Sequence, residues 1–464
     1  MNENEQVERY LDENRQRFEQ ELYELLRIPS ISTDNRRAKD VRRAAKWLRD
    51  HLQGLGLQTE LIETTGHPVV YAESAPVAGA PTLLVYGHYD VQPAEPLDEW
   101  LSPPFEPSVR EGNVYARGAT DDKGQMLTHI NSAEAWLRAA GGLPVQLKFF
   151  LEGEEEIGSE NAMRVLEQRA EQLGCDAVVV SDSSQLGPDR PAITYALRGI
   201  AYYELLLTGP ARDLHSGVFG GAVTNPANAL AHLLAAMVDA DGRIQLPGFY
   251  DDVLELSAEE RRRFAEIGFD EPAFMERIGV SGLSGEAGYT TLERRWARPT
   301  FDVNGLWGGY QGEGSKTVLP ARAAAKLSFR LVPDQRPEQI SRALRTFVAE
   351  RALPGIDWEL VEHNMAPAVL VPLESAFLSA AARSVEAVFG TPPVFIREGG
   401  SIPIVAAFKQ GLQADTLLLG WGLDDDNAHS PNEKLSLRDF HRGIRASAYL
   451  WQQASLISRS KTSG

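Results

Sequence analysis

Four short apolar segments constrain the fold of this chain more than any other feature of its sequence. They cover residues 81–87, 145–151, 177–181 and 416–420, and helix-like segments lie between them. Continuous apolar runs of this length are typical of strands that are covered on both faces. Strands that alternate with helices favour an α/β sheet, in which ligands bind at the carboxyl ends of the strands. We therefore predict a sheet whose carboxyl edge carries the functional site.

Each of these segments is followed closely by side chains of the types that bind metal ions. His88 comes directly after the first segment, the acidic run 152–156 after the second, and Asp182 after the third. The fourth segment leads into a loop that holds His429. Taken alone, His88 is more typical of a packed histidine and Asp182 of a helix N-cap. Their joint placement at strand ends predicts one common site.

A different pattern in the middle of the chain predicts a second domain. Alternating runs at 201–207 and 325–331, each followed by a helix-like segment, replace the continuous apolar runs there. Segment 416–420 follows this part, so the first domain is assembled from two stretches of chain. We expect an α/β catalytic domain, with a central mixed, mostly parallel sheet flanked by helices, and an inserted α+β domain. The predicted limits are 1–198 with 365–464 for the first domain and 199–364 for the second.

The charge balance excludes some classes of partner. The chain has 46 Lys and Arg residues against 65 Asp and Glu residues, which gives a formal net charge of −19. Nucleic acids and anionic membranes bind basic patches, so we expect neither as a partner. The longest stretch without charged side chains, 214–238, contains serine, threonine, asparagine and histidine, and we do not expect it to span a membrane.

The cysteine count and the chain ends bear on location. The single cysteine, Cys175, excludes an intrachain disulfide and favours a reducing compartment. The first residues have neither the basic nor the apolar segment of a signal peptide. We therefore predict a cytoplasmic protein. The last residues, 458–464, are polar, and we expect them to be disordered.

The candidate metal ligands combine imidazole and carboxylate groups. They are His88, Asp121, either Glu155 or Glu156, Asp182 and His429. Nitrogen and oxygen donors without thiolate suit Zn²⁺ or Mn²⁺, with Co²⁺ also accepted. The number of carboxylates favours two ions that share one carboxylate, and Asp121, in a turn of small residues, is the natural bridge. Asp90 is placed to hold the second nitrogen of His88 and fix its tautomer.

Nine ordered motifs resemble those of a known family. It is the family of two-metal peptidases and amidohydrolases that includes carnosine dipeptidases, aminoacylases, acetylornithine deacetylase and succinyl-diaminopimelate desuccinylase. The similar segments span nearly the whole chain: 26–32, 86–93, 118–124, 152–159, 180–182, 213–221, 316–320, 397–403 and 428–433. Segments 213–221 and 397–403 are most similar to the dipeptidase branch.

The resemblance implies a ligand assignment and a general base. It implies two divalent ions per subunit, one held by His88, Asp121 and Asp182, the other by Asp121, Glu156 and His429. In this family a catalytic glutamate precedes the glutamate ligand, which assigns Glu155 as the general base. That base would take a proton from a water activated between the ions.

The resemblance also implies how substrate is bound. The family's inserted domain acts as a lid and pairs two subunits, so we expect a homodimer. His215 is expected to reach the partner's active site and stabilise the oxyanion, and Thr317 to act across the dimer as well. Arg330 resembles the arginine that receives the substrate's C-terminal carboxylate. Gly400 and Ser401 lie in the loop that contacts substrate.

Three functions follow as expectations. The first is a metallodipeptidase acting on small peptides with a free C-terminal carboxylate. The second is an N-acyl-amino-acid deacylase of the acetylornithine or succinyl-diaminopimelate type, which the long segment 239–296 disfavours. The third is a non-catalytic metal-binding relative, against which the presence of both Asp90 and Glu155 argues.

Overall fold

A computed structural model describes residues 2–457, and the predicted disorder at 458–464 lies outside the described residues. The chain forms two compact units. The first comprises Met1–Tyr195, Val371–Ile396 and Ala407–Gly464, and the second comprises Ala196–Leu370 and Arg397–Ala406. The range 199–364 lies wholly within the second unit, which also contains the later stretch Arg397–Ala406. None of the helices within 2–457 is long and apolar enough to cross a membrane.

The helices of the described chain are α1 (Glu3–Glu13), α2 (Arg15–Leu26), α3 (Ala38–Gly54), α4 (Lys123–Ala135), α5 (Glu160–Gln168), α6 (Ala170–Leu173), α7 (Ser216–Phe219), α8 (Pro226–Ala235), α9 (Ala258–Glu266), α10 (Glu271–Ile278), α11 (Thr291–Trp296), α12 (Pro337–Arg351), α13 (Ala376–Phe389), α14 (Pro403–Leu412) and α15 (Leu437–Ser455). Short helical turns of other types occur at Asn35–Arg37, Leu97–Glu99, Trp136–Ala140 and Glu155–Ile157.

The strands are β1 (Gln58–Ile62), β2 (Val69–Glu73), β3 (Thr82–His88), β4 (Ser108–Arg110), β5 (Asn113–Tyr115), β6 (Gln146–Glu152), β7 (Ala177–Val180), β8 (Ala192–Leu197), β9 (Gly199–Thr208), β10 (Leu214–His215), β11 (Thr300–Gly308), β12 (Val318–Leu319), β13 (Arg322–Leu331), β14 (Asp357–Ala366), β15 (Val369–Leu370), β16 (Val394–Glu398), β17 (Asp415–Leu418) and β18 (Lys434–Ser436).

The first unit is built on a mixed sheet with the strand order β1-β2-β6-β3-β7-β17-β8. Its four central strands, β6, β3, β7 and β17, are parallel to one another and correspond to the four predicted apolar segments. The flanking pairs β1–β2, β2–β6 and β17–β8 are antiparallel, so the sheet is parallel only in its centre. Every residue of β3 is buried, which explains why its sequence is continuously apolar rather than alternating. The predicted α/β class with a mixed sheet is confirmed.

Helix α4 lies in the interior of the first unit, and all of its residues are buried. Two indole groups tie this region to α15. Trp136 Nε1 donates to the Ala448 carbonyl at 3.0 Å, and Trp451 Nε1 donates to Ser132 Oγ at 2.8 Å. Buried indoles normally find such partners. The long C-terminal helix therefore fixes α4, whose first residue follows the turn that carries Asp121.

The second unit contains a four-stranded antiparallel sheet with the order β11-β13-β9-β14. Buried and partly buried residues alternate along β9, as the pattern at 201–207 predicts. Its buried side chains, such as Tyr203 and Leu205, form one core with Leu344 and Phe347 of α12. A separate two-stranded ribbon pairs β10 with β12.

Candidate active site

The carboxyl ends of the four parallel strands meet at one edge of the sheet. His88 is the last residue of β3, and Asp182 lies two residues beyond β7. Glu155 and Glu156 lie in the short helical turn after β6, and His429 lies in the loop after β17. Parallel pairing places all four strand ends on the same side, and so the sheet itself collects these side chains.

Asp121 joins the candidate ligands into two groups. His88, Asp121 and Asp182 each offer a donor atom within 4.8 Å of the others, and so do Asp121, Glu156 and His429. Asp121 Oδ1 lies 3.1 Å from His88 Nε2, and Asp121 Oδ2 lies 2.9 Å from His429 Nε2. Glu156 Oε2 is 3.3 Å from the same His429 nitrogen. Each oxygen of Asp121 thus faces a different imidazole, as a bridging carboxylate requires.

The three consecutive glutamates 154–156 differ in the direction of their side chains and so in the roles they can have. Glu154 is turned away from both groups, because its carboxylate accepts the His67 N–H at 2.7 Å and the Asn161 side-chain amide at 2.8 Å. Glu156 belongs to the second group. Glu155, between them, belongs to neither group. This arrangement favours Glu156 as ligand and Glu155 as base over the opposite assignment.

His88 is oriented for metal binding by its neighbour Asp90. The His88 Nδ1 atom lies 3.2 Å from the Asp90 backbone carbonyl and 3.5 Å from its Oδ1. Since a carbonyl oxygen only accepts, Nδ1 carries a proton. Nε2 is buried and has no aligned hydrogen-bond partner within residues 2–457. A buried imidazole nitrogen without such a partner fits a ligand to a cation.

Asp90 also holds the glutamate turn. Its two carboxylate oxygens accept the backbone N–H groups of Glu155 at 3.2 Å and of Glu156 at 3.1 Å. Asp90 is fully buried. One side chain therefore fixes both the His88 ring and the two glutamates at the end of β6.

The crowded carboxylates of the site favour the binding of positive charge. Burial, and then the Asp121 carboxylate, raises the pKa of Asp182 to about 7. Hydrogen bonds to Asp121 and Glu156 raise the pKa of the His429 imidazole to about 10. Burial raises the pKa of Glu155 well above its ordinary value; His88 opposes this and the Asp182 carboxylate adds to it. Carboxylates crowded with imidazoles in this way, and without sulfur, fit hard or borderline divalent cations.

The substrate-binding residues predicted from the resemblance lie in the second unit. Arg330, on β13, donates from Nη1 to Ser401 Oγ at 2.9 Å, and Gly400 precedes that serine. Arg198 brackets the same loop, because its Nε donates to the Gly399 carbonyl at 3.0 Å and its own carbonyl accepts the Ser401 hydroxyl. Within the described chain neither arginine forms a salt bridge with a carboxylate. Asp302 attracts both guanidinium groups through space without a salt bridge, so their charge beside this loop is only partly balanced.

His215 and Thr317 lie together elsewhere in the second unit. His215, on β10, pairs with Val318 of β12, next to Thr317. The backbone N–H of Ser216 donates to the Thr317 carbonyl at 3.2 Å. His215 Nδ1 accepts the Gly217 N–H at 3.0 Å, so the proton of the neutral ring lies on Nε2. Both His215 and Thr317 are exposed, which leaves that N–H free to donate.

Two residues near these groups were missed by the sequence reasoning. They are Glu433, which lies in the motif 428–433, and Arg198. Neither has a local signal, because Glu433 contacts a turn more than 300 residues earlier and Arg198 a loop about 200 residues later. Only the folded chain brings these partners together.

Comparison with known proteins gives the family. Peptidase family M20/M25/M40 matches residues 84–453. The Cys-Gly metallodipeptidase of Schizosaccharomyces pombe is 34% identical over 94% of this chain and 95% of its own length. Human Beta-Ala-His dipeptidase is 32% identical over 97% of this chain and 93% of its own. The crystal structure of an M20 family metallo-carboxypeptidase from Sulfolobus solfataricus superposes with a TM-score of 0.85 at 34% identity, covering 94% of this chain and 98% of that one.

An α/β sheet whose carboxyl edge collects imidazoles and carboxylates is typical of a metal-dependent enzyme. The chain belongs to peptidase family M20/M25/M40 and is a metallopeptidase. The resemblance to the dipeptidase branch is confirmed by metallodipeptidases of similar length.

Proposed function

We propose that this chain hydrolyses the amide bond of dipeptides or short peptides that carry a free C-terminal carboxylate. The observation that carries the proposal is the pair of ligand groups sharing Asp121, with Glu155 beside them. The names of the similar proteins support the substrate class, since the two relatives above are dipeptidases.

The proposed metal centre has two ions. His88, Asp121 and Asp182 would hold one, and Asp121, Glu156 and His429 the other. Two divalent ions bound there, Zn²⁺ or Mn²⁺ with Co²⁺ also compatible, would polarise the scissile carbonyl and lower the pKa of the attacking water.

Glu155 is the proposed general base and then the general acid. Its carboxylate accepts the proton of the attacking water and donates it to the leaving amine. Burial raises the pKa of Glu155 above its ordinary value, which favours return of the proton to the amine, and the charge of two bound cations would oppose this rise and so favour the first step. Asp90 keeps Glu155 in place through the backbone.

Arg330 is the proposed receptor of the substrate carboxylate. A guanidinium binds a carboxylate through two parallel hydrogen bonds, and that of Arg330 forms no salt bridge among the described residues, since Asp302 acts on it only through space. Ser401 fixes its Nη1, and Gly400, without a side chain, leaves open space beside it. Recognition of a free C-terminus favours exopeptidase action over cleavage within long chains.

We also propose a homodimer formed through the inserted unit, with His215 and Thr317 acting on the partner's substrate. Strand β11 lies at the edge of its sheet and exposes Val303, Leu306 and Trp307, with 43%, 62% and 38% of their surface accessible. An apolar edge strand of this kind is a ready pairing surface. The His215 Nε2–H group would then donate a hydrogen bond to the oxyanion. A cytoplasmic location stays a prediction.

The test is hydrolysis by metal-reconstituted protein, with Mn²⁺ and with Zn²⁺. The substrates are unblocked dipeptides including a β-alanyl one, tripeptides, N-acetylornithine and N-succinyl-diaminopimelate. Preferential cleavage of the dipeptides would support the proposal, whereas cleavage of only the acylated amino acids would identify a deacylase. Glu155→Gln should abolish turnover with metal still bound, and Glu154→Gln, the matched control from the same run, should retain it. Full turnover by E155Q would overturn the mechanism.

A further inference from the structure

Glu433 makes an unusually complete set of hydrogen bonds with the turn that carries Asp121. Its Oε2 accepts Arg117 Nη1 at 2.7 Å and the Gly118 N–H at 2.9 Å. Its Oε1 accepts the N–H groups of Thr120 at 3.0 Å and of Asp121 at 3.1 Å. The Glu433 side chain is fully buried. Each of the two oxygens therefore accepts two hydrogen bonds from the protein.

The shape of this turn requires a glycine and directs several N–H groups to one acceptor. Gly118 has φ +82°, and a Cβ on it would lie 2.6 Å from a side-chain carbon of Val91. Three N–H groups of the turn point inward to a single place, which makes it a backbone anion site. Buried N–H groups without an acceptor would cost about 1–3 kcal/mol each. Glu433 supplies that acceptor, and it fixes Asp121 from its backbone while both Asp121 side-chain oxygens face the imidazoles.

The same turn is joined to the loop that carries His429. Thr120 Oγ1 donates to Asp426 Oδ2 at 3.1 Å, and Lys434 Nζ donates to Asp426 Oδ1 at 2.7 Å. Asp426 precedes His429 by three residues and Glu433 follows it by four. His429 itself has φ +62°, a conformation that few non-glycine residues adopt. The loop is thus anchored to the Asp121 turn on both sides of the histidine.

We propose that Glu433 is a positioning residue that sets the distance between Asp121 and His429, and through it the affinity for the metal ions. This inference rests on the ligand assignment of the proposed function. Glu433 binds no ion itself, because its four acceptor positions are already filled. It acts by holding the bridging carboxylate and the loop of the second imidazole in one rigid piece.

The substitution Glu433→Gln tests this with almost no change in shape. The amide nitrogen of E433Q would face N–H donors, so one pair of donors would lose its acceptor and the turn would shift. The matched control is Glu286→Gln in the second unit. Glu286 is also a buried, arginine-paired carboxylate, which accepts from Arg298 at 2.7 and 2.8 Å and from Arg243 at 2.9 Å.

The readout is the affinity for Mn²⁺ and Zn²⁺, measured by competition with a chelator, together with the melting temperature of the metal-free protein. Residues that orient metal ligands typically change metal affinity by about 10- to 100-fold. We expect a loss of that size in E433Q and wild-type affinity in E286Q, although both variants lose stability. If E433Q does not fold, Glu433→Asp, which keeps the charge but is too short to reach both donor pairs, takes its place with the same expectation.

Two results would overturn the inference: wild-type affinity in the Glu433 variant, or an equal loss in the E286Q control. A wild-type protein that binds no second ion would instead refute the proposed ligand assignment. The failure of the inference and the failure of the proposed function are thus distinguishable, and neither outcome depends on which peptide is cleaved.

Discussion

Replacing Asp90 with asparagine should weaken metal binding while leaving the fold intact. The Asp90 carboxylate accepts the N–H groups of Glu155 at 3.2 Å and Glu156 at 3.1 Å, one on each oxygen. Asparagine has the same shape but presents an NH₂ donor in place of one oxygen. One of the two backbone N–H groups would then face a donor, and the turn that carries the general base and a ligand would have to move.

The structure sets the size of this effect. One buried donor left without an acceptor costs about 1–3 kcal/mol. With about 1.4 kcal/mol for each factor of ten, this corresponds to a roughly 5- to 140-fold loss if the whole cost falls on the metal-binding geometry. The Asp90 backbone carbonyl remains available to His88 Nδ1, so the imidazole keeps one of its contacts.

The assay compares D90N with Asp176→Asn. Asp176 Oδ2 accepts the N–H of Thr82 at 2.7 Å, at the start of β3 and so at the opposite end of the strand from His88. Chelator competition gives the metal affinity, and kcat/KM on an unblocked dipeptide at saturating metal gives the effect on Glu155. D176N should keep wild-type values for both. Values within twofold of wild type in D90N would refute the reasoning that Asp90 orients the site.

Three further predictions follow from the same contacts. Arg330→Met should lower kcat/KM for unblocked dipeptides by roughly 10- to 100-fold, the value of a charge-assisted contact, and leave a C-terminally amidated dipeptide unaffected; an equal loss on both substrates would contradict carboxylate recognition. If His215 acts across a dimer, its alanine variant and E155Q should each be inactive alone but regain activity when mixed under conditions that exchange subunits. A mixture without activity would exclude this role. Burial lowers the pKa of His129 from 6.5 to about 3, so the unfolded chain takes up a proton that the folded chain does not. The free energy of unfolding therefore falls as pH drops below 6.5, by about 2 kcal/mol at pH 5. Urea unfolding of His129→Gln should show a correspondingly shallower decline of this free energy between pH 7 and 5.

The sequence predicts best those parts of the fold whose residue pattern follows directly from burial. The central strands are buried on both faces and so are continuously apolar, and side chains such as His88 and Asp182 come together at their carboxyl ends. The sequence predicts a mixed sheet but not which strands run antiparallel, because the residues of β1 and β2 carry no signal for strand direction. Their pairing depends on the neighbouring strand rather than on their own composition.

The same limit applies to the candidate site. The ligand types and their strand-end positions are visible in the sequence, but the contacts that orient them are not. Glu433 Oε1 and the N–H of Asp121 belong to residues 312 positions apart, and no periodicity or spacing links them. The choice between Glu155 and Glu156 likewise depends on where Glu154 points, which is decided by contacts with His67 and Asn161.

Asp90 and Glu433 solve one physical problem in the same way. A side chain that binds a metal ion has to leave its oxygens free, so the turn that carries it must be held through its backbone. Asp90 accepts N–H groups of the glutamate turn, and Glu433 accepts those of the Asp121 turn. Both are buried carboxylates outside the ligand groups; the charge of Glu433 is paired with Arg117, whereas that of Asp90 also attracts a cation toward the site. Each side chain therefore fixes the geometry of the ligands without binding an ion, which is why each is a sharper test of the metal centre than any ligand whose removal abolishes binding outright.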